Sequence, residues 1–338
     1  MIRPVIIVKI LVLIAVILIT SIVVFSFTRP VKHPKNFYSY GVSFSPSYAT
    51  HLGLDWKQTY LSILADLKIS YLRLPSYFSE IEPKPDQINF ADLDFMLNQA
   101  KAHNLKVLLV VGSKQPRWPE CHLPSWVKNQ PQSVRQELVL EFIQKVVLKY
   151  RKDQTVWGWQ VENEPLFEFG SDCDKPDFTF LKKEVALVKK LDPKKPIVVT
   201  ETGEWRLWNE AMSVSDIFGI SLYHKSYNPI LGYINYPFTS SSYTLKSDLT
   251  RKIFALQNQK TIITELQTEP WLKDSASQTP IQTQIQVFTP RDFQNNLEFA
   301  QETGFDEIYL WGTEWWYFMA KSNHPEYLKL AQNYLNSP

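Results

Sequence analysis

Eight short apolar runs, each followed by a longer stretch of helical period, constrain this chain more than any other feature. The runs end at Phe44 (YGVSF), Leu74 (SYLRL), Val111 (KVLLVV), Val161 (VWGWQV), Thr200 (PIVVT), Tyr223 (IFGISLY), Thr264 (KTIIT) and Trp311 (EIYLW). They are mostly β-branched or aromatic without alternation, the pattern of strands buried on both faces. Helical period fills residues 55–68, 92–103, 134–150, 178–191, 208–214, 245–259, 291–302 and 326–335. In the first of these Tyr60, Leu61, Leu64, Ala65 and Leu67 share one side, a face to bury against a sheet. Thr289-Pro290 reads as an N-cap with proline at the first helical position, and Gly304 as a C-terminal cap. Eight such units without a second block of different composition predict an α/β fold, a closed (β/α)8 barrel of the TIM type. No phosphate-cradling glycine fingerprint follows the first strand, which removes the open dinucleotide-binding sheet.

Ahead of the barrel, residues 5–27 contain only Lys9, Thr20, Ser21 and Ser26 as polar positions. As a helix they would reach about 34 Å, enough to cross a bilayer. We expect an uncleaved anchor in residues 1–28, a linker in 29–37 and one catalytic domain in 38–338. A cleaved secretion signal is the alternative, with Val24-Phe25-Ser26 as a weak cleavage site. Basic residues lie on both sides of the span, and their count slightly favours a body inside the cell; the function argued below favours one outside. All five charged residues before Asn36 are basic, out of 36 basic and 34 acidic in the whole chain. The remainder is slightly acidic, which argues against a nucleic-acid partner.

In a barrel of this kind the site lies at the C-terminal ends of the strands. There the fourth run leads into Glu162-Asn163-Glu164-Pro165 and the seventh into Glu265. A glutamate at the rim of an apolar run is costly unless a pocket uses it. Strands four and seven are three apart in a ring of eight, so their ends face each other across the mouth. Two carboxyl groups flanking one bond are what glycoside cleavage requires, one as proton donor and one as attacking carboxylate, about 5 to 5.5 Å apart in a retaining enzyme. Glu162 reads as a buried, hydrogen-bonded structural acid. Glu269, four residues beyond Glu265, is the alternative second acid, and Glu201 and Glu204 are assigned no chemistry.

On these residues the chain resembles clan A of the glycoside hydrolases, the retaining (β/α)8 enzymes that include family 5 cellulases and family 42 β-galactosidases. The resemblance runs from Tyr40 to about Tyr334 and includes Glu82-Pro83 to Asn89-Phe90 and Leu93-Asp94. It implies Glu164 as acid/base and Glu265 as nucleophile. It also implies Arg73 and Tyr223 as hydrogen-bond donors to the nucleophile, Asn163 at the sugar 2-hydroxyl and Trp311 as a floor for the sugar. Gly112-Ser113 and Ser221-Leu222-Tyr223 replace the histidine-bearing motifs of family 5, so the likeness is to the clan; His224 is either a partial substitute or an ordinary loop residue.

Tryptophans add a separate line. Trp118, Trp126, Trp205, Trp208, Trp271, Trp315 and Trp316 follow strand ends, where flat rings suit the apolar faces of sugars. Among them Trp118, Trp205, Trp271 and Trp315 are taken as substrate contacts. Cys121 and Cys173 fall in the adjoining loops after strands three and four, either as free thiols or, in an extracellular body, as a disulfide. Six scattered histidines offer no metal motif, no cofactor is expected, and no serine-hydrolase elbow is present. The sequence therefore predicts a membrane-anchored retaining glycosidase acting on oligo- or polysaccharides with β linkages, with a silent carbohydrate-binding barrel or a transglycosylase as alternatives.

Overall fold

The computed structural model describes residues 38–257 and 259–336. The expected anchor and linker lie outside the described residues; within them no helix is long and apolar enough to cross a membrane. Eight parallel strands close into a barrel: β1 (Ser39–Ser43), β2 (Tyr71–Pro75), β3 (Lys106–Val111), β4 (Val156–Val161), β5 (Ile197–Thr202), β6 (Ile217–Leu222), β9 (Lys260–Gln267) and β10 (Glu307–Trp311). The remaining strands, β7 (Lys225–Asn228) and β8 (Gly232–Asn235), form an antiparallel hairpin after the sixth barrel strand. Consequently β9 and β10 are the seventh and eighth staves.

Each predicted run is a barrel strand, with shifts at the ends. The fifth continues past Thr200 to Thr202 and the seventh past Thr264 to Gln267, while the sixth stops at Leu222, before Tyr223. The helix expected at 245–259 is Ser240–Ile253, because Thr239 and Ser242 form a capping box that starts it earlier. Outside the strands, helices bury their apolar faces in one continuous core. Inside the barrel a smaller plug forms from Leu108, Val198 and Ile262 of the third, fifth and seventh staves with Tyr309 of the eighth. Above it the interior turns polar, with Arg73, Gln160, Thr200 and Thr264 all buried.

Two irregularities aim the site. Along β9 the partners of Ile220 and Ser221 are Ile263 and Glu265, so Thr264 is an extra residue in the ladder. This bulge breaks the alternation of side chains and turns Glu265 from the helix layer into the barrel mouth. After β4 the chain leaves the strand with Glu162 and Glu164 both at positive φ, 60° and 45°. Such a conformation costs a non-glycine residue on the order of 1–3 kcal/mol and persists only where neighbours hold it.

Gly219 of β6 sits where the bulge crosses the interior. A Cβ there would lie 2.7 Å from Thr264 Cγ2 and 2.8 Å from Thr200 Cγ2, methyls that a stiff χ1 keeps in place. Gly219→Ala is therefore expected to lower stability by about 1–3 kcal/mol, read as a lower midpoint of urea unfolding; an unchanged midpoint would show that the bulge can yield.

Candidate active site

Arg73, projecting from β2, is the hub of the mouth. Its Nη1 donates to Glu265 Oε1 at 2.7 Å, its Nη2 to Asn163 Oδ1 at 2.7 Å and its Nε to Gln160 Oε1 at 2.7 Å. One guanidinium thus ties the ends of the fourth and seventh staves together. The other Glu265 oxygen, Oε2, accepts from the Tyr223 hydroxyl at 3.0 Å. Both oxygens are held, and the carboxylate is buried in a fixed orientation. Tyr223 is itself fixed, its backbone N–H donating to Glu204 Oε1 at 3.2 Å.

Glu164 is placed by its backbone. Its N–H donates to Thr200 Oγ1 at 3.0 Å, and its carbonyl accepts from Lys114 Nζ at 2.9 Å. Glu162 braces the same turn from below, its carboxylate accepting from the backbone N–H groups of Ser113 and Lys114. Gly112, at φ 120°, is required there, since a Cβ would lie 2.3 Å from Glu162 Oε1. Burial first, and then the charge of Glu265, push the Glu164 carboxyl up to about 7. Near neutral pH this pairs a carboxyl able to hold its proton with a second carboxylate fixed by a cation and a phenol.

Asn163 joins the hub to the loop after β3, its Nδ2 donating to Glu120 Oε2 at 3.1 Å. That loop is bound to the loop after β4 by a disulfide between Cys121 and Cys173, with a Cα–Cα distance of 5.3 Å. Trp271 is half-buried, edge-on to Tyr223 at 5.2 Å between ring centres. Trp118 and Trp205 are 67% and 60% exposed.

Other expected contacts are corrected. Trp315 is fully buried in the helix Thr313–Lys321, packed on Tyr327 and Phe288, and its indole N–H donates to Gln284 Oε1 at 2.6 Å. It cannot touch a substrate because that helix turns it into the core behind the mouth. Trp316 is turned into the core by the same helix, Trp208 is buried against Phe218, and Trp126 is half-buried against Phe78. Trp311 keeps only 7% of its surface open, and the Arg117 guanidinium carbon lies 4.0 Å from its ring centre. His224 bonds Asn296 and packs on Phe299. Glu269 is ion-paired with Arg117. Glu201 is buried and Glu204 half-buried; burial first, with the Glu164 charge adding to it, raises both. Sequence reasoning did not single out Gln160, Thr200, Lys114, Glu120 or Arg117. Gln160 and Thr200 carried a signal, being polar residues inside apolar runs. Among the described residues no group of three or more His, Cys, Asp or Glu could hold a metal ion.

Comparison with known proteins adds a family match over part of the chain and a set of similar folds. The model of glycosyl hydrolase family 10 matches residues 77–180, a span containing Asn163 and Glu164. Three similar solved structures are a β-galactosidase from Marinomonas ef1, xylanase 10B from Thermotoga petrophila in complex with xylobiose, and GH5_18 from Streptomyces cattleya in complex with GlcNAc. The first is 13% identical with a TM-score of 0.55, covering 88% of this chain and 59% of its own. The second is 16% identical with a TM-score of 0.55, covering 82% of each chain. The third is 12% identical with a TM-score of 0.54, covering 81% of this chain and 70% of its own. This chain thus spans little more than half the length of that β-galactosidase. No curated protein matches. The barrel resembles those of clan A glycoside hydrolases.

The mouth is crowded with acids whose pKa values rise on folding. Burial pushes Glu120 and Glu201 up to about 8, and Glu164, Glu204 and Glu269 up to about 7, from an ordinary 4.5. Between pH 4.5 and about 8 the folded chain therefore binds more protons at these groups than the unfolded chain, and stability falls as pH rises. His122, lowered to about 4 by burial, and His224, also lowered, act in the opposite direction below about 6.5. With five carboxyls against two imidazoles, the melting temperature is expected to fall from pH 5 to pH 8; a rise measured by calorimetry over that interval would contradict the assignment.

Proposed function

We propose that the chain is a retaining glycosidase that cleaves β-linked glycans through a covalent glycosyl-enzyme intermediate. The observation that carries this reading is the asymmetry of the two carboxyls: Glu265 is clamped by Arg73 and Tyr223, whereas burial and the Glu265 charge push Glu164 to about 7. In the first step Glu164 gives its proton to the leaving oxygen while a Glu265 oxygen attacks the anomeric carbon. Forming that ester removes the charge that had helped raise Glu164. Its pKa then falls, and the same side chain, now a carboxylate, takes a proton from the water that hydrolyses the ester. Asn163, held by Arg73 and Glu120, would bind the 2-hydroxyl of the sugar. A catalytically silent carbohydrate-binding barrel would have no use for this asymmetry; a transglycosylase would share the first half-reaction and differ only in its acceptor.

Glu265→Gln is expected to abolish hydrolysis of nitrophenyl β-glycosides, and full activity in that variant would leave only a binding protein. In the native chain kcat/KM should decline as pH rises through about 7, because the form of Glu164 that donates its proton is lost. Glu164→Ala should reduce kcat/KM on poorly leaving aglycones by about 10²–10⁴-fold and spare nitrophenyl leaving groups, which need little protonation. Proton NMR of the first-formed sugar should show retained β configuration, and an initial α product would exclude the covalent route.

We further propose that residues 5–27 anchor the protein with its barrel outside the cell. A polysaccharide substrate and the disulfide between Cys121 and Cys173 support that side. Alkaline phosphatase fused after Pro338 should then be active and a fluorescent protein fused there dark; the reverse pattern would place the barrel in the cytoplasm.

A further inference from the structure

Two contacts cross the barrel mouth from wall to wall. The loop after the third stave sends Arg117 to Glu269 beyond the seventh, diametrically opposite, and to Glu314 beyond the eighth. The guanidinium is buried and sandwiched between Trp311 and Tyr48, its carbon 4.0 and 3.9 Å from their ring centres. The loop after the fourth stave sends Phe169 to Trp271 beyond the seventh, with ring centres 5.6 Å apart, and Trp271 leans on Tyr223. These loops are not free to swing. Cys121 and Cys173 join them covalently, Ser171 N–H donates to Pro119 O, and Lys114 Nζ holds the carbonyls of both Glu164 and Phe167.

An extended glycan running through the site would have to pass both crossings. The Arg117 crossing sets a stacked ion cluster across the side of the eighth and first staves, where a glycan would have to pass. The side of the fifth and sixth staves differs. There a cavity of 270 Å³, lined by Glu204, Trp205, Tyr243 and Lys246 among others, adjoins the acids next to Glu164. In a retaining reaction the leaving group must depart and water must enter while the glycone stays bonded to the nucleophile. The open side must therefore serve the leaving group and the closed side the glycone.

Resting on the glycosidase reading, we infer that the enzyme is exo-acting, removing one sugar at a time from the non-reducing end of a β-linked chain. Arg117 sets the length of the glycone, and the Phe169–Trp271 arch excludes chain interiors.

The test uses the full chain with nitrophenyl β-glycosides of glucose, galactose and xylose, together with the nitrophenyl β-linked trisaccharide of whichever sugar is hydrolysed. Monoglycosides should release nitrophenol at once. The trisaccharide should release free monosaccharide first, with nitrophenol following after a lag, and a soluble polymer of the same linkage should lose little viscosity for each reducing end formed. Immediate nitrophenol release from the trisaccharide, or a rapid loss of viscosity, would overturn exo action while the glycosidase reading stood, provided Glu265→Gln abolished it. Hydrolysis of none of the probes would overturn both. Phe169→Ala, which leaves Trp271 against Tyr223, should raise the ratio of polymer to monoglycoside activity at least tenfold; an unchanged ratio would remove the arch from the explanation.

Discussion

The site depends on one buried cation. Arg73 is buried in the barrel interior, and such a charge is tolerated only where its donors find acceptors. Glu265 supplies the compensating charge, and Gln160 and Asn163 take the remaining directions of the guanidinium fork. The acceptors come from two staves three apart in the ring, so the cation fixes the geometry of the mouth as well as its charge. A lysine, with a point charge on a flexible stem, could neutralise Glu265 but could not hold three acceptors in one plane. Asn163 carries the constraint outward to Glu120, on the loop that the disulfide binds to the loop after β4.

Against this background the number of acids at the mouth becomes intelligible. Carboxyl groups lying close together in a buried space cannot all ionise, so the site holds protons that the same side chains would have lost in water. Glu164, raised first by burial and then by the Glu265 charge, is the acid whose proton the proposed chemistry would move. Hydrogen bonds to Thr202 and to Tyr223 and Tyr243 keep Glu201 and Glu204 in place. Two local strains, the positive φ angles of Glu162 and Glu164, are held by a carboxylate on two backbone amides and by the Thr200 hydroxyl.

Much of the barrel was legible because strands buried on both faces must be apolar, and a charged residue at the end of such a run is conspicuous. Glu164 and Glu265 stood out for that reason. The sequence held no mark of the bulge at Thr264, which depends on how three neighbouring staves pack and not on any local propensity. Tryptophans misled where counting could not separate a loop from a short helix. Trp315 follows a strand, as a subsite ring would, but the chain coils at once into Thr313–Lys321 and turns it inward. Arg117 was invisible for a related cause: its partners Glu269 and Glu314 lie far along the chain, and nothing in a loop's composition reveals what its side chains will meet across a barrel.

Substrate access and proton donation are not independent here. Lys114 grips the backbone of Glu164 and of Phe167 with the same ammonium group, and Phe167 stacks on Phe169, the arch residue. Any movement that opened the arch by displacing the loop backbone would pull on the turn that sets the acid, already strained at Glu164 φ. A wider groove reached by backbone motion would misplace the donor, whereas trimming the arch side chains leaves Lys114 and the turn untouched. The disulfide makes the first route harder still, because the loop after β4 cannot move without the loop that carries Arg117. Under the proposed exo action, selectivity for chain ends and a fixed proton donor would arise from one set of restraints, and a barrel of this construction could relax the first without losing the second only through its side chains.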